Sequence, residues 1–431
     1  MTASPTTPQR ALPPAGRAAL RGGIAGNYVD QLHIFLPLVA LAPALPTIAG
    51  PQAAAATGAV VVMAMLLGRP IGSLVFGPIA DRLGRTRTTR IAIAGTALCA
   101  LGIAAIPTHE AIGGFAVAGI IVLRFLGGVF IAGEYSAAIP LAMEWSSPRR
   151  RGLVSGLIMS MAPWAQASIA FATAGLLVGL GPQAYAGWGW RLAFVAGALG
   201  SVAMLIYYRR VHDVTGSGRG TPARTGRGRL RRVMFGPHAK DFWRLFALMS
   251  GLWFLTQMTV IVLAGRLGPA TGVSATTAAT IMGLAAVGQA IVMALAGQWS
   301  TNLGRRRFFV LWGLLGAVGA PFLWYWTLSG HELARITAGA TLLQVITVTA
   351  YGPIGAYLSE GFPADVRSTG YGTAYSLSIV IPALYPFYLP ALESLLGRQG
   401  GPIALLVLGG LLVAGCGALG PALRPRELTD G

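Results

Sequence analysis

The sequence predicts an all-α membrane protein of twelve transmembrane helices in two six-helix bundles, and three observations carry that prediction. Of 431 residues, 54% are hydrophobic and only 10% charged, against roughly 25% charged in an ordinary soluble domain. The apolar residues fall into twelve stretches, each near the ~20 residues that a helix needs to cross a bilayer. The 60 glycines suit membrane helices, which pack through small residues that let backbones approach.

In chain order the first six stretches run near 24–48, 55–79, 89–107, 112–141, 153–180 and 188–208. The second six run near 243–265, 274–298, 307–328, 332–358, 368–391 and 401–423. Gly, Pro and basic clusters punctuate them. Residues 1–21 are rich in Pro, Thr and Arg, with no short apolar region and cleavage site, and read as a tail rather than a signal peptide. Residues 22–208 then form the first bundle, 209–242 a linker, 243–423 the second bundle and 424–431 a C-terminal tail. The linker holds Arg209, Arg210, Arg219, Arg224, Arg227, Arg229, Arg231, Arg232 and Lys240 among glycines and prolines. Pro37, Pro43 and Pro46 in span one, and Pro382 and Pro386 in span eleven, should bend those helices.

A net charge of +19 would ordinarily raise nucleic-acid binding. Here most of the basic residues fall in segments on one side of the membrane, which is the positive-inside rule, and no aromatic-basic platform accompanies them. Linker and both termini are therefore expected in the cytoplasm, and the chain in the plasma (inner) membrane. Lys240, the single lysine, sits in Pro-His-Ala-Lys-Asp, so there is no Walker A loop and energy must come from an ion gradient, a partner or the solute gradient. Cys99 and Cys416 lie in separate apolar stretches, and His33, His109, His212, His238 and His331 show no i, i+4 pair. No metal and no cofactor is expected, and no enzyme. The expected partners are a small-molecule substrate, protons and the lipid bilayer, with the monomer as the unit.

The two halves repeat. Gly77-Pro-Ile-Ala-Asp81-Arg82-Leu83-Gly84-Arg85-Thr86-Arg87 matches Gly297-Gln-Trp-Ser-Thr301-Asn302-Leu303-Gly304-Arg305-Arg306-Arg307 in spacing, with Thr301 in place of Asp81. Glu144, Pro148 and Arg151 likewise match Glu360, Pro363 and Arg367. Duplicated bundles that rock about a midplane site are a common transporter plan.

At these residues the sequence resembles the major facilitator superfamily, whose loop after span two reads Gly-x-x-x-Asp-Arg/Lys-x-Gly-Arg-Arg/Lys-Arg/Lys; only Thr86 departs from the basic positions. It is more closely similar to that superfamily's metabolite:proton symporters, through Gly26-Asn27-Tyr28-Val29-Asp30, Gly68-Arg69-Pro70-Ile71-Gly72, Arg124-Phe125-Leu126-Gly127-Gly128 through Gly133-Glu134-Tyr135, and Tyr351-Gly352-Pro353 through Glu360-Gly361-Phe362-Pro363. Where that family usually has Glu-Trp-Tyr-Asp in span one, this chain has Asp30-Gln31-Leu32-His33. The resemblance covers about 22–425 and implies a proton-coupled carrier of a small organic acid or zwitterion working by alternating access. A proton-driven exporter of a drug or secreted metabolite is the rival reading, since the fold and motif serve both directions. A non-transporting receptor is the third, and charges inside the spans argue against it.

Five ionisable residues fall inside spans, where a charge costs a few kcal/mol and marks function by default: Asp30, His33, Arg69, Arg124 and Glu134. Asp30, His33 and Glu134 are expected to include the proton-binding group, with Arg69 or Arg124 biasing it. A fixed ion pair of Arg69 with Asp30 or Glu134, and a hydrogen-bonded packing role for His33, stand as the structural readings. The resemblance associates Arg124 with proton coupling; its other use is to clamp a substrate carboxylate, as for Arg69. Substrate contacts are sought among Tyr28, Trp164, Gln166, Trp253, Gln257, Gln289, Tyr351, Tyr357 and Tyr375, whereas Trp188, Trp190, Trp324 and Trp326, near span ends, read as a membrane-interface belt. A gate between the halves is implied by the resemblance for Gly77, Asp81, Arg82, Gly84, Arg85, Glu144 and Arg151, and for Gly297, Gly304, Arg305, Glu360 and Arg367, with the Thr301 copy the weaker latch.

Overall fold

The structure, a computed structural model, describes residues 13–50, 54–211 and 226–421. His212, Arg219 and Arg224 of the expected linker, residues 1–12, and the tail 424–431 lie outside the described residues. The twelve spans are α1 (Pro14–Ala49), α2 (Ala54–Leu83), α3 (Arg85–Ala105), α4 (Phe115–Trp145), α5 (Pro148–Leu180), α6 (Pro182–Arg210), α7 (Ala239–Thr271), α8 (Ala275–Leu303), α9 (Arg305–Leu328), α10 (Leu333–Glu360), the bent α11 (Arg367–Ala383 with Tyr385–Leu396) and α12 (Gly400–Ala418). Eleven are single helices long and apolar enough to cross a membrane; α11 makes the twelfth by bending 47° at Leu384. Pro382 and Pro386 flank that bend, because each lacks the N–H that a continuous helix would use.

α1 begins at Pro14 rather than near 24, since Gly16, Ala19, Gly22, Gly23 and Gly26 give it a small-residue face that buries. Its regular winding ends at Val39, followed by a 3-10 turn at Ala42–Ala44 and a short helix at Leu45–Ala49, where Pro43 and Pro46 lie. Gly84 (φ 92°) and Gly304 (φ 87°) make the turns α2–α3 and α8–α9 in the left-handed region that only glycine enters freely.

The halves meet along two equivalent seams, α2 against α11 and α5 against α8, and one apolar core joins Met65 and Ile139 of the first half to Leu252 and Phe362 of the second. At the α5–α8 seam a Cβ on Gly297 would lie 2.1 Å from the Gly152 carbonyl oxygen, so glycine is required for the approach. Part of the linker is not extended: Gly226–Met234 is a helix packed on α2, α7 and α11, with Val233 buried and Arg232 paired to Asp365 at 3.0 Å.

Two of the four belt tryptophans are placed differently from the sequence reading. Trp190 and Trp324 are buried, because Trp324 Nε1 donates to Gln399 Oε1 at 2.7 Å, and Trp190 packs edge-on to Phe194 at 5.7 Å. Trp188 is exposed and Trp326 half-buried.

Candidate functional site

A cavity of about 100 Å³ lies between the halves, lined by Gln31, Arg69, Gln166, Trp253, Gln257, Gln289, Tyr351 and Tyr375 among others. A larger one, about 660 Å³, shares Gln166, Val260 and Ile261 with it and extends along α1, α5, α7 and α8 away from the chain-entry face, the face at which α1 begins. Arg69 is 1% exposed, and its guanidinium lies over the rings of Tyr135, Trp253 and Tyr375 at 4.8, 5.4 and 5.3 Å. That aromatic cradle holds the plane of the cation while leaving Nε and Nη2 without a hydrogen-bond partner. Gln31 Nε2 donates to Tyr135 Oη, and Trp253 Nε1 donates to the Tyr375 carbonyl at 3.2 Å, so the cradle is itself tied down. Gln257 Oε1 and Gln289 Oε1 are buried without partners.

Three residues proposed from sequence to touch substrate fall elsewhere. Tyr28 donates to Ser168 Oγ at 2.9 Å on α5 and does not line the cavity. Trp164 is 37% exposed; at 100° per residue it stands 200° round α5 from Gln166, on the outer face. Tyr357 binds the Arg244 guanidinium near the chain-entry face.

The five in-membrane ionisable residues form three groups. The Asp30 and Glu134 carboxyl groups are within hydrogen-bonding reach of each other, packed on Gly26, where a Cβ would lie 2.8 Å from Glu134 Oε1. Among the described residues neither makes an ion pair with Arg69, so the fixed-pair reading does not hold. His33 Nε2 and Ser201 Oγ are 2.8 Å apart, turning the ring toward α6 and away from the cavity. Arg124 Nη1 donates to the His33 carbonyl at 2.7 Å, and Nη2 contacts Met65 Sδ. Arg124 therefore does not line the cavity and is no clamp there.

At the chain-entry face the two repeats build matching clusters. Glu144 binds Arg85 of its own half and Arg367 of the other, the latter at 2.7 Å. Glu360 binds Arg305 of its own half at 3.2 Å and Arg151 of the other at 3.8 Å. The copies differ where the sequences differ. Asp81 caps the start of α11, accepting from the backbone N–H of Ser368 (3.2 Å) and Thr369 (3.0 Å) and from Thr369 Oγ1 (2.7 Å), a carboxylate at a helix N-terminus. Thr301 instead accepts from Arg305 Nη1 at 3.1 Å and abuts Gly152. Gly77 lies against Thr369, whose Cα would be 3.1 Å from a Cβ there. Gly84 and Gly304 shape the turns below, and Arg82 is exposed.

Gln31, Tyr135, Ser368 and Thr369 were not singled out from sequence. The first two stand next to Asp30 and Glu134, and a helix face read at 100° per residue would have put Gln31 toward the other half; nothing in sequence marks Ser368 or Thr369 as the partners of Asp81.

Two six-helix halves around a cavity, joined by ion-paired seams at one face, are the plan of a membrane transporter. Residues 33–269 match the family model described as Major Facilitator Superfamily, and residues 228–419 the one described as Sugar (and other) transporter. The chain belongs to the major facilitator superfamily, and it is a transporter rather than an enzyme. It is 28% identical over 378 residues to the alpha-ketoglutarate permease of Escherichia coli strain K12, covering 84% of each chain. It is 26% identical over 377 residues to the citrate-proton symporter of Salmonella typhi, covering 85% of this chain and 83% of that one. Its fold is similar to that of the proton:xylose symporter XylE bound to 6-bromo-6-deoxy-D-glucose, with a TM-score of 0.72, 16% identity and 94% of both chains covered.

Proposed function

We propose that this chain is a monomeric symporter that carries a small organic acid into the cell together with protons, with both termini and the ion-paired face in the cytoplasm. The observation that supports this best is the neighbourhood of Arg69. A buried cation with two unpartnered N–H groups faces a cavity between the halves, and the Asp30–Glu134 pair acts on it from behind the cavity wall. A carboxylate entering the cavity meets a planar donor pair suited to bidentate binding. Two buried carboxyl groups in contact repel each other when both are charged, so the pair is a place to hold and release a proton.

The positive-inside distribution supports a cytoplasmic position for the ion-paired face, in which case the wider cavity faces outward. The relatives named for alpha-ketoglutarate and for citrate with protons support the substrate class and the coupling.

The test is uptake of a panel of labelled organic acids, zwitterions and cationic drugs into proteoliposomes, with and without an imposed proton gradient. Accumulation of an acid with an inward proton gradient is the expected result. Accumulation of any solute only against an outward-opposed gradient makes the chain an antiporter and sinks the symport reading.

A further inference from the structure

The charge and hydrogen-bond inventory of the Arg69 cavity narrows the substrate further. Among the described residues lining it, Arg69 alone carries a formal charge. Arg124, the other cation at this depth, is committed to the His33 carbonyl and the Met65 sulfur. A second carboxylate on the substrate would thus enter the cavity with no second cation to meet it, which is costly. A fixed positive charge fares no better: it would enter beside the Arg69 cation with no carboxylate among the described lining residues, the faces of Trp253 and Tyr375 already hold the guanidinium, and the two nearby carboxyls face each other behind the wall.

What the cavity does offer is uncharged hydrogen bonding. The carbonyl oxygens of Gln257 and Gln289, one from each of two helices of the second half, are buried and unpartnered. An amide left unpaired in an apolar wall is destabilising, so a bound solute with O–H donors would satisfy what the protein leaves open.

Resting on the reading of this cavity as the substrate site, we propose that the transported acid is a hydroxylated monocarboxylate: one carboxylate bound by Arg69, and hydroxyl groups donating to Gln257 and Gln289. The feature that distinguishes it is a single anionic end with a neutral polyol body, as against dicarboxylates, betaines and plain fatty acids.

Five four- or five-carbon probes separate these classes: threonate, tartrate (a second carboxylate in place of the terminal hydroxymethyl), threitol (no carboxylate), butyrate (none of the three hydroxyls) and glycine betaine (no hydroxyls and a fixed cation). Binding of each to the purified full-length protein is measured by isothermal titration calorimetry. Threonate is expected to bind tightest, each of the others weaker by roughly tenfold or more, as expected for one buried polar group left unpaired. Gln257→Leu with Gln289→Leu should erase the preference for threonate over butyrate while keeping the requirement for a carboxylate; Gln257→Asn with Gln289→Asn, closer in chemistry, covers the case where the leucine variants do not fold. Tighter binding of tartrate or glycine betaine, or equal binding of butyrate, overturns the hydroxylated-monocarboxylate inference and leaves organic-acid symport standing. If no probe binds and no acid is accumulated by the proteoliposomes, the symport reading itself has failed, and this inference with it.

Discussion

Arg124 Nη1 donates 2.7 Å to the main-chain carbonyl of His33, and that carbonyl is the one Pro37 leaves without its helical donor. A proline four residues on supplies no N–H, so the oxygen is an orphan acceptor inside a span. Arg124 on α4 fills the gap left in α1. The arginine in span four thereby couples the backbone of one helix to the side chain of another, close to the place where α1 loses its regular winding.

This relation predicts non-additive stabilities. Arg124→Met should destabilise by about 1–3 kcal/mol through the exposed carbonyl alone. Pro37→Ala restores a backbone N–H to the same oxygen, so the double variant should recover part of that loss. Thermal unfolding in detergent measures both, and simple additivity of the two changes would remove the argument.

For the ion-paired face, Asp81→Asn should favour the state open to the cytoplasm more than Thr301→Ala does. The first removes a carboxylate cap on the start of α11, of the kind worth about 0.5–2 kcal/mol; the second removes a hydroxyl already served by Arg305. Labelling of a single cysteine placed in the cavity, by an impermeant thiol reagent from each side, reads the shift. Equal labelling of the two variants contradicts the asymmetry.

Arg69→Lys keeps the charge and loses the plane that lies on Tyr135, Trp253 and Tyr375. Transport should fall through a raised KM, by roughly tenfold, because an ammonium cannot reproduce the fork of donors. A normal KM in the lysine variant would place the substrate carboxylate elsewhere.

Asp30→Asn and Glu134→Gln each take one carboxyl from the buried pair. Gradient-driven accumulation should disappear in both, while counterflow exchange, which needs substrate but no net proton movement, persists and becomes independent of pH. Loss of exchange together with accumulation in folded protein would assign the pair to substrate binding.

Gly297→Ala sets a Cβ where the Gly152 carbonyl already sits, 2.1 Å away. The α5–α8 seam cannot close around it without shifting, at a cost of about 1–3 kcal/mol. Thiol labelling from the cytoplasmic side should rise, and an unchanged rate would show that this contact does not govern closure.

Much of this was legible before any coordinates. Apolar length and glycine content carried the number of spans, and the equal spacing of Gly77–Arg87 and Gly297–Arg307 carried the duplication, because these depend on local composition and on residues near each other in the chain; that Glu144 and Glu360 also bind Arg367 and Arg151 of the opposite halves was not readable in that way. Arg69, Trp253, Gln257, Gln289, Tyr351 and Tyr375, singled out because polar groups in hydrocarbon are rare, line the cavity between the halves, and their contact with substrate belongs to the proposal. Side-chain direction was less accessible. Asp30 and Gln31 are neighbours in sequence yet face the carboxyl pair and the cavity respectively, and Trp164 is turned from Gln166 by two residues of helical rotation. Long-range partners were not accessible at all: Asp81 reaches Thr369 across 288 positions, and Arg124 was free in sequence to meet a substrate or a backbone.

The two seams that join the halves are built from different materials. Along α2–α11 the hold is a carboxylate on open N–H groups, which can be released by exchanging one set of hydrogen bonds for water. Along α5–α8 the closest approach is backbone against backbone at Gly152 and Gly297, and such packing cannot be handed over to water as a hydrogen bond can. The molecule should therefore swing rather than gape, turning about the glycine edge as on a hinge while the Asp81 edge behaves as the latch of a door.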